Sequence, residues 1–181
     1  MDLTRVPHGV MDSETVALAL MRPPAPLSDE EQTLLDTIVA SPERFLDSGP
    51  PHAVLNQAEL VFFAAGRSLE LAPLYAAAVE RQGADSALRV RLALLLQRLG
   101  MFPSAEREAR LAVQHRPADP DAHYVLGNLL AQGEDRSAGR LAEIAGHWER
   151  VFELAPDYEP LDGSRAEEVR ERLQQVRALG R

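Results

Sequence analysis

From His52 onward, helix-sized apolar periods alternate with short breakers, and the breakers recur at one distance. Gly66 and Gly100 are 34 residues apart, as are Ala78 and Ala112, and so are Gly83 and Pro117, the last pair each closing a helix. A fixed period of this length describes a stack of similar units, each too small to bury its apolar face alone and completed by its neighbours. The spacing predicts an all-α chain of antiparallel helix pairs near residues 52–65, 68–82, 85–99, 102–116, 119–132, 137–154 and 164–179. Ala112 is expected at a close helix crossing, because axes approach to about 8–10 Å only where the side chains between them are short.

The 181 residues suffice for one such stack with flanking segments. Apolar residues form 45% of the chain, with only one Trp, three Tyr and five Phe, so alanine and leucine must build most of the core. The absence of cysteine excludes disulfides, thiolate metal sites and a Cys nucleophile. No apolar run approaches the roughly 20 residues of a membrane span, and the start lacks a basic region followed by an apolar one. A cytoplasmic protein with no membrane insertion is the expectation. The net charge of −9 argues against nucleic acid as a partner. All the basic side chains are Arg, a bias attributed to a GC-rich bacterial genome.

Residues 1–27 read as a poorly ordered acidic and Pro-rich arm, interrupted by Pro7, Pro23, Pro24 and Pro26, with one short helical stretch from Ser13 to Met21. Residues 28–51 read as an N-terminal helix and linker. Ser28-Asp29-Glu30-Glu31 is a capping-box sequence, Leu34, Leu35, Ile38 and Val39 recur on one face, Pro42 ends or bends the helix, and Ser48-Gly49-Pro50-Pro51 breaks the chain. Residues 1–50 carry nine acids and three arginines, whereas Arg89, Arg91, Arg98, Arg107, Arg110 and Arg116 face only Asp85, Glu106 and Glu108 between residues 84 and 118. This split predicts a contact of the acidic segment with the Arg-rich unit, in competition with a partner.

Within the period, the residues resemble the tetratricopeptide repeat (TPR) family. In the third unit His123, Leu126-Gly127 and Leu130 stand where that family has Trp, Leu-Gly and Tyr, followed by Ile144, Trp148, Val151 and the closing Pro156. Leu92-Ala93, Leu96, Gly100, Ala105, Ala112 and Pro117 fill those places in the second unit, and Ala58, Phe62, Gly66, Leu71, Tyr75 and Ala78 in the first. Arg89 and His123 replace large apolar residues, and Leu130 to Ile144 spans 14 residues where Leu96 to Ala105 spans nine, an insertion around residues 133–140. The resemblance implies a TPR-like helical solenoid of about three repeats over residues 52–158. Residues 159–181, with Ala166, Val169, Leu173, Val176 and Leu179 at helical spacing, resemble the capping helix of such arrays.

No constellation carries chemistry. The five histidines, His8, His52, His115, His123 and His147, show no metal-ligand spacing, and structural or surface roles are expected for each. The segment Gly133 to Gly139 is too acidic for a phosphate loop, and Asp119, Asp121, Glu134 and Asp135 are too scattered for a calcium loop. No catalytic residue, cofactor or metal is expected. An enzyme would need a buried acid–base pair, for which His123, Tyr124 and Glu159 are the candidates.

The resemblance does imply a concave groove, lined by the first helix of each unit, that takes a partner peptide or helix. Its register carries Asn56, Gln57 and Phe63 from the first unit, Arg91 and Arg98 from the second, and Tyr124, Asn128 and Gln132 from the third. The carboxylate clamp of heat-shock co-chaperones is not reproduced, because Asn56, Leu60, Arg91, Asp121 and Val125 occupy its positions. The expected function is a non-enzymatic interaction adaptor, or scaffold, in a bacterial assembly. A secretion-type chaperone and the repeat domains of cytochrome c maturation, which residues 146–156 resemble, are the alternatives.

Overall fold

The computed structural model describes residues 26–180, so the expectations for residues 1–25, including the short helix from Ser13 to Met21, fall outside the described residues. The described residues form α1 (Asp29–Ala40), α2 (Pro42–Leu46), α3 (Pro51–Ala64), α4 (Leu71–Arg81), α5 (Ser86–Arg98), α6 (Phe102–His115), α7 (Pro120–Gln132), α8 (Ala138–Leu154) and α9 (Ala166–Leu179), with no strand among them. A 3-10 turn at Ser68–Glu70 occupies the first residues of the helix expected from residue 68. Consecutive helices pack as pairs, α3 on α4, α5 on α6 and α7 on α8, and pairs stack through α5 on α7 and α6 on α7. At the N-terminus α1 packs on α3 and the short α2 on α4, so the stretch expected to be linker continues the stacking with a truncated helix pair. Pro42 fails to continue α1 yet suits the first turn of α2, where no backbone donor is needed.

The glycine spacing is a repeated helix stop. Gly66 and Gly100 have φ of 67° and 72°. In each the glycine N–H bonds to the carbonyl three residues back (Phe63 at 3.1 Å, Gln97 at 3.0 Å), and the following N–H closes the wider ring (Arg67 to Phe62 at 2.8 Å, Met101 to Leu96 at 2.9 Å). This double closure of the last turn needs a left-handed residue, which glycine supplies without a Cβ clash. The third unit uses another stop: Gly133 is extended, and the Arg136 guanidinium donates to the carbonyls of Ala131, Gly133 and Asp135, covering the end of α7. The insertion thus becomes a self-bonded loop.

Helix starts repeat as well. Asp85 caps α5 through Leu88 N–H, and Asp119, 34 residues on, caps α7 through Asp121 and Ala122 N–H. Each cap also receives a side chain from the preceding unit, His52 Nε2 to Asp85 at 2.9 Å and Ser86 Oγ to Asp119 at 2.8 Å. Charge-assisted acceptors at helix N-termini are stabilised by the helix dipole, so one carboxylate both begins a repeat and ties it to the last one.

The core runs the length of the stack, from Leu35 and Ile38 of α1 to Val169 and Leu173 of α9. Ala93, Ala105, Ala109 and Ala112 are fully buried between α5 and its neighbours, as the small residues of the period predict. Gly127 has a sharper role, since a Cβ there would lie 2.7 Å from the indole of Trp148.

For residues 26–50 the charge split resolves differently from the sequence expectation, while Asp2, Asp12 and Glu14 lie outside the described residues. Among the described residues, the acids of the N-terminal segment that reach a cation are Glu43 and Asp47, and they pair with Arg81 of α4, not with the Arg-rich unit. Four of the six arginines of that unit find carboxylates inside the array: Arg89 with Glu108, Arg91 with Glu59, Arg107 with Glu108, and Arg110 with Glu106 and Glu143. A buried carboxylate such as Glu108, with 6% of its side chain exposed, is tolerated only because a guanidinium accompanies it.

Candidate functional site

The inner face of the stack is built by the first helix of each unit, and the period fixes which residues face it. Positions 60, 94 and 128 are equivalent, giving Leu60, Leu94 and Asn128, and one turn on stand Ala64, Arg98 and Gln132. Leu60 is half exposed and Leu94 is half buried.

Of the eight residues read from the sequence, seven separate into three groups and Gln57 stands apart. Asn56 and Arg91 belong to a buried ionic cluster, in which Arg91 donates to Asn56 Oδ1 at 2.6 Å and Glu59 Oε2 at 2.7 Å, and Tyr75 donates its hydroxyl to the same Glu59. The Arg91 guanidinium also lies 5.4 Å from the Tyr75 ring centroid, where the ring quadrupole attracts it. Burial and the Glu59 charge push the Tyr75 hydroxyl well above its ordinary range, so it stays a donor. This cluster ties α3 to α4 and α5, and it offers a partner little surface.

Phe63 and Arg98 form the second group: Phe63 is 9% exposed and Arg98 lies over its ring at 6.0 Å. Burial lowers the Arg98 pKa, opposed by the charges of Glu59 and Tyr75, yet no described carboxylate pairs with it. Gln57 is exposed on α3 with no described side-chain hydrogen bond.

Tyr124, Asn128 and Gln132 make the third group and line one pocket of about 190 Å³. Leu94 and Gln97 of α5, Val125 and Ala131 of α7, Trp148 of α8, and Leu161, Asp162 and Arg172 of the C-terminal segment complete its wall. Trp148 donates its indole N–H to Asn128 Oδ1 at 3.1 Å, fixing the amide at the pocket wall. Tyr124 is only 1% exposed because the chain after α8 folds over it. The Tyr124 and Ser164 hydroxyls lie 3.0 Å apart, the Tyr158 ring packs on it at 5.4 Å between centroids, and Tyr158 donates to Asp121 at 2.8 Å. Burial pushes the Tyr124 hydroxyl up to about 12, against the Ser164 hydrogen bond. It also raises Asp121, which the Tyr158 bond opposes.

Leu94 and Gln97 were legible from register with Asn128 and Ala131. Leu161, Asp162 and Arg172 carried no such signal, since they reach the inner face by a fold-back of the C-terminal segment, beyond the last repeat period. Asp162 is drawn up by burial but held below its usual range by hydrogen bonds from Ser164 and Tyr124 and by the nearby Arg172 charge.

The residues singled out for acid–base work do not converge. His123 Nε2 donates to the Pro117 carbonyl at 3.0 Å, which leaves its Nδ1 to accept from His147 Nδ1 at 2.9 Å. Burial, followed by His123, lowers the His147 pKa to about 4, so His147 is neutral near pH 7, and the pair bridges α7 to α8. Glu159 is exposed, and Tyr124 is engaged by Ser164. No group of three or more His, Asp or Glu suited to a metal ion occurs among the described residues, and no described helix is long and apolar enough to cross a membrane.

No family model matches the chain, and no curated protein matches it in sequence. Solved structures do: the first TPR of Spaghetti (RPAP3), bound to the HSP90 peptide SRMEEVD, is similar with a TM-score of 0.55 at 23% identity. The match covers 71% of this chain and 93% of that one. The fold is therefore a TPR-like helical-repeat solenoid, with its first helices forming one continuous face.

Proposed function

We propose that the chain is a non-enzymatic adaptor that holds a segment of another protein against the inner face of its helical stack. The observation that carries this reading is the pocket between α5, α7, α8 and the C-terminal segment, whose lining includes Gln97, Asn128, Gln132 and Arg172. At about 190 Å³ it is smaller than the roughly 300–1,000 Å³ of pockets that enclose drug-sized ligands. A single side chain of a protein partner suits it better than a cofactor does. The likeness to a TPR bound to a peptide supports the same reading at the level of fold.

The mode of that neighbour does not transfer. Arg91, the cation at a clamp position, is committed to Glu59 and Asn56, and Asp121 is committed to Tyr158, so a chain terminus would meet no ready pair of donors there.

Photo-crosslinking tests the reading. A benzoylphenylalanine at Leu60, Gln97 or Gln132 of the full chain should give the same adduct in a lysate of the encoding organism, whereas the same group at Arg107 or Glu153, on the second helices, should give none. Adducts formed equally from both sets, or from the second helices alone, would exclude the inner face as the binding surface.

A further inference from the structure

Charge on the inner face is unevenly satisfied. The acids there are engaged: Glu59 by Arg91 and Tyr75, Asp121 by Tyr158, and Asp162 by the N–H and hydroxyl of Ser164 at 3.0 and 2.6 Å. Two cations meet no carboxylate among the described residues. Arg98 rests on the Phe63 ring one turn from Leu94, and Arg172 stands at the pocket wall, near enough to depress Asp162 without forming an ion pair. Most other arginines of the array hold a carboxylate, among them Arg81, Arg89, Arg91, Arg110 and Arg140. The pocket that Arg172 lines, and from whose Leu94 Arg98 stands one helical turn away, is apolar at Leu94, Val125, Ala131, Trp148 and Leu161.

We propose that this pocket receives one Leu or Met side chain of an extended partner segment whose flanking Asp or Glu residues pair with Arg98 on one side and Arg172 on the other. The inference rests on the inner-face reading above and names the partner's chemistry. The apolar wall and the size of the cavity select one aliphatic side chain. Arg98, held over the Phe63 ring, and Arg172, exposed at the pocket wall, meet no carboxylate among the described residues and select acidic flanks, since charge-assisted hydrogen bonds to a carboxylate are stronger than neutral ones. Gln97, Asn128 and Gln132, which line the same opening, supply amides for the backbone of an extended segment. No free chain end is required, so the segment lies inside its protein.

A random dodecapeptide library displayed against the immobilised full chain tests this, followed by anisotropy with amidated synthetic peptides of the enriched sequences. Peptides carrying Leu or Met with Asp or Glu within three residues on both sides should be enriched. Replacing the central residue by Ser should weaken binding by tenfold or more, and raising salt from 50 to 500 mM should weaken it severalfold as the ion pairs are screened. The double substitution Arg98→Glu with Arg172→Glu should cost at least tenfold for acidic peptides and favour Lys-flanked ones; circular dichroism of that variant establishes that it is folded. Enriched peptides without acidic flanks, or affinities indifferent to the double substitution, overturn the proposal while leaving the inner-face reading to the crosslinking result. A loss of self-association in the double variant by sedimentation would make a second copy the occupant and overturn it too. If no peptide is enriched, the inference fails, and if crosslinks also avoid the inner face, both readings fail together.

Discussion

At the residue scale, close contacts rather than the apolar pattern set the sharpest constraints. Gly127→Ala gains about 1 kcal/mol of helix propensity but sets a Cβ 2.7 Å from Trp148, whose indole must then shift away from Asn128. Overpacking costs about 1–3 kcal/mol, so a net loss of up to about 2 kcal/mol is expected, read as a lower urea midpoint at unchanged slope. Ala112 is completely buried, and Ala112→Leu should cost about 1–3 kcal/mol by the same overpacking; an unchanged melting temperature would refute the close crossing. His147 gives a pH signature. Its pKa falls from 6.5 to about 4 on folding, so below pH 6.5 the unfolded chain binds the proton that the folded chain refuses. Stability from the neutral ring is complete above pH 6.5 and declines as the pH falls toward 4. The His147→Gln variant should therefore lose stability less steeply than the parent over that window in urea titrations, and parallel curves would show that the ring is not buried in its neutral form.

Elements in this chain are decided by their ends. The glycine and aspartate repeats are legible because a left-handed stop and a carboxylate cap each need particular residue types, and both recur with the units they delimit. α2 was less legible, since Pro42 reads equally well as the end of one helix and the first turn of another. The last helix, α9, was recognisable by its apolar spacing, but its partners were not. It docks through buried Val169 and Leu173 and through Arg170, which lies 4.3 Å from the Phe152 ring centroid and donates to the Pro156 carbonyl, and Arg177, which pairs with Glu149. Leu173→Ala should cost about 2–3 kcal/mol, at the lower end for a large-to-small change because the site lies at the end of the stack. If α9 shields the pocket wall, Trp148 emission should shift to the red in that variant; an unmoved spectrum would show that α9 does not control access there.

For the whole molecule, stability should be graded along the stack, because each unit contacts only its neighbours. The α5–α6 and α7–α8 pairs share the most extensive interfaces, and α3–α4 a smaller one, so amides of α3 and α4 should exchange with deuterium faster than those of α7 and α8. Uniform protection across the helices would mean that the array unfolds as one cooperative body. The sequence by itself determined the helical class, the repeat length, the stops and caps and the alanine crossings, since these depend on local backbone chemistry and on a period that any stack must honour. Only the tertiary structure decided which inward side chains are available: Arg91 is consumed by Asn56 and Glu59, Tyr124 is covered by Ser164 and Tyr158, and Arg98 and Arg172 meet no acid among the described residues. Those outcomes depend on which charges and rings meet across units and on where a non-repeating C-terminal segment folds back, and helical periodicity carries no information about either.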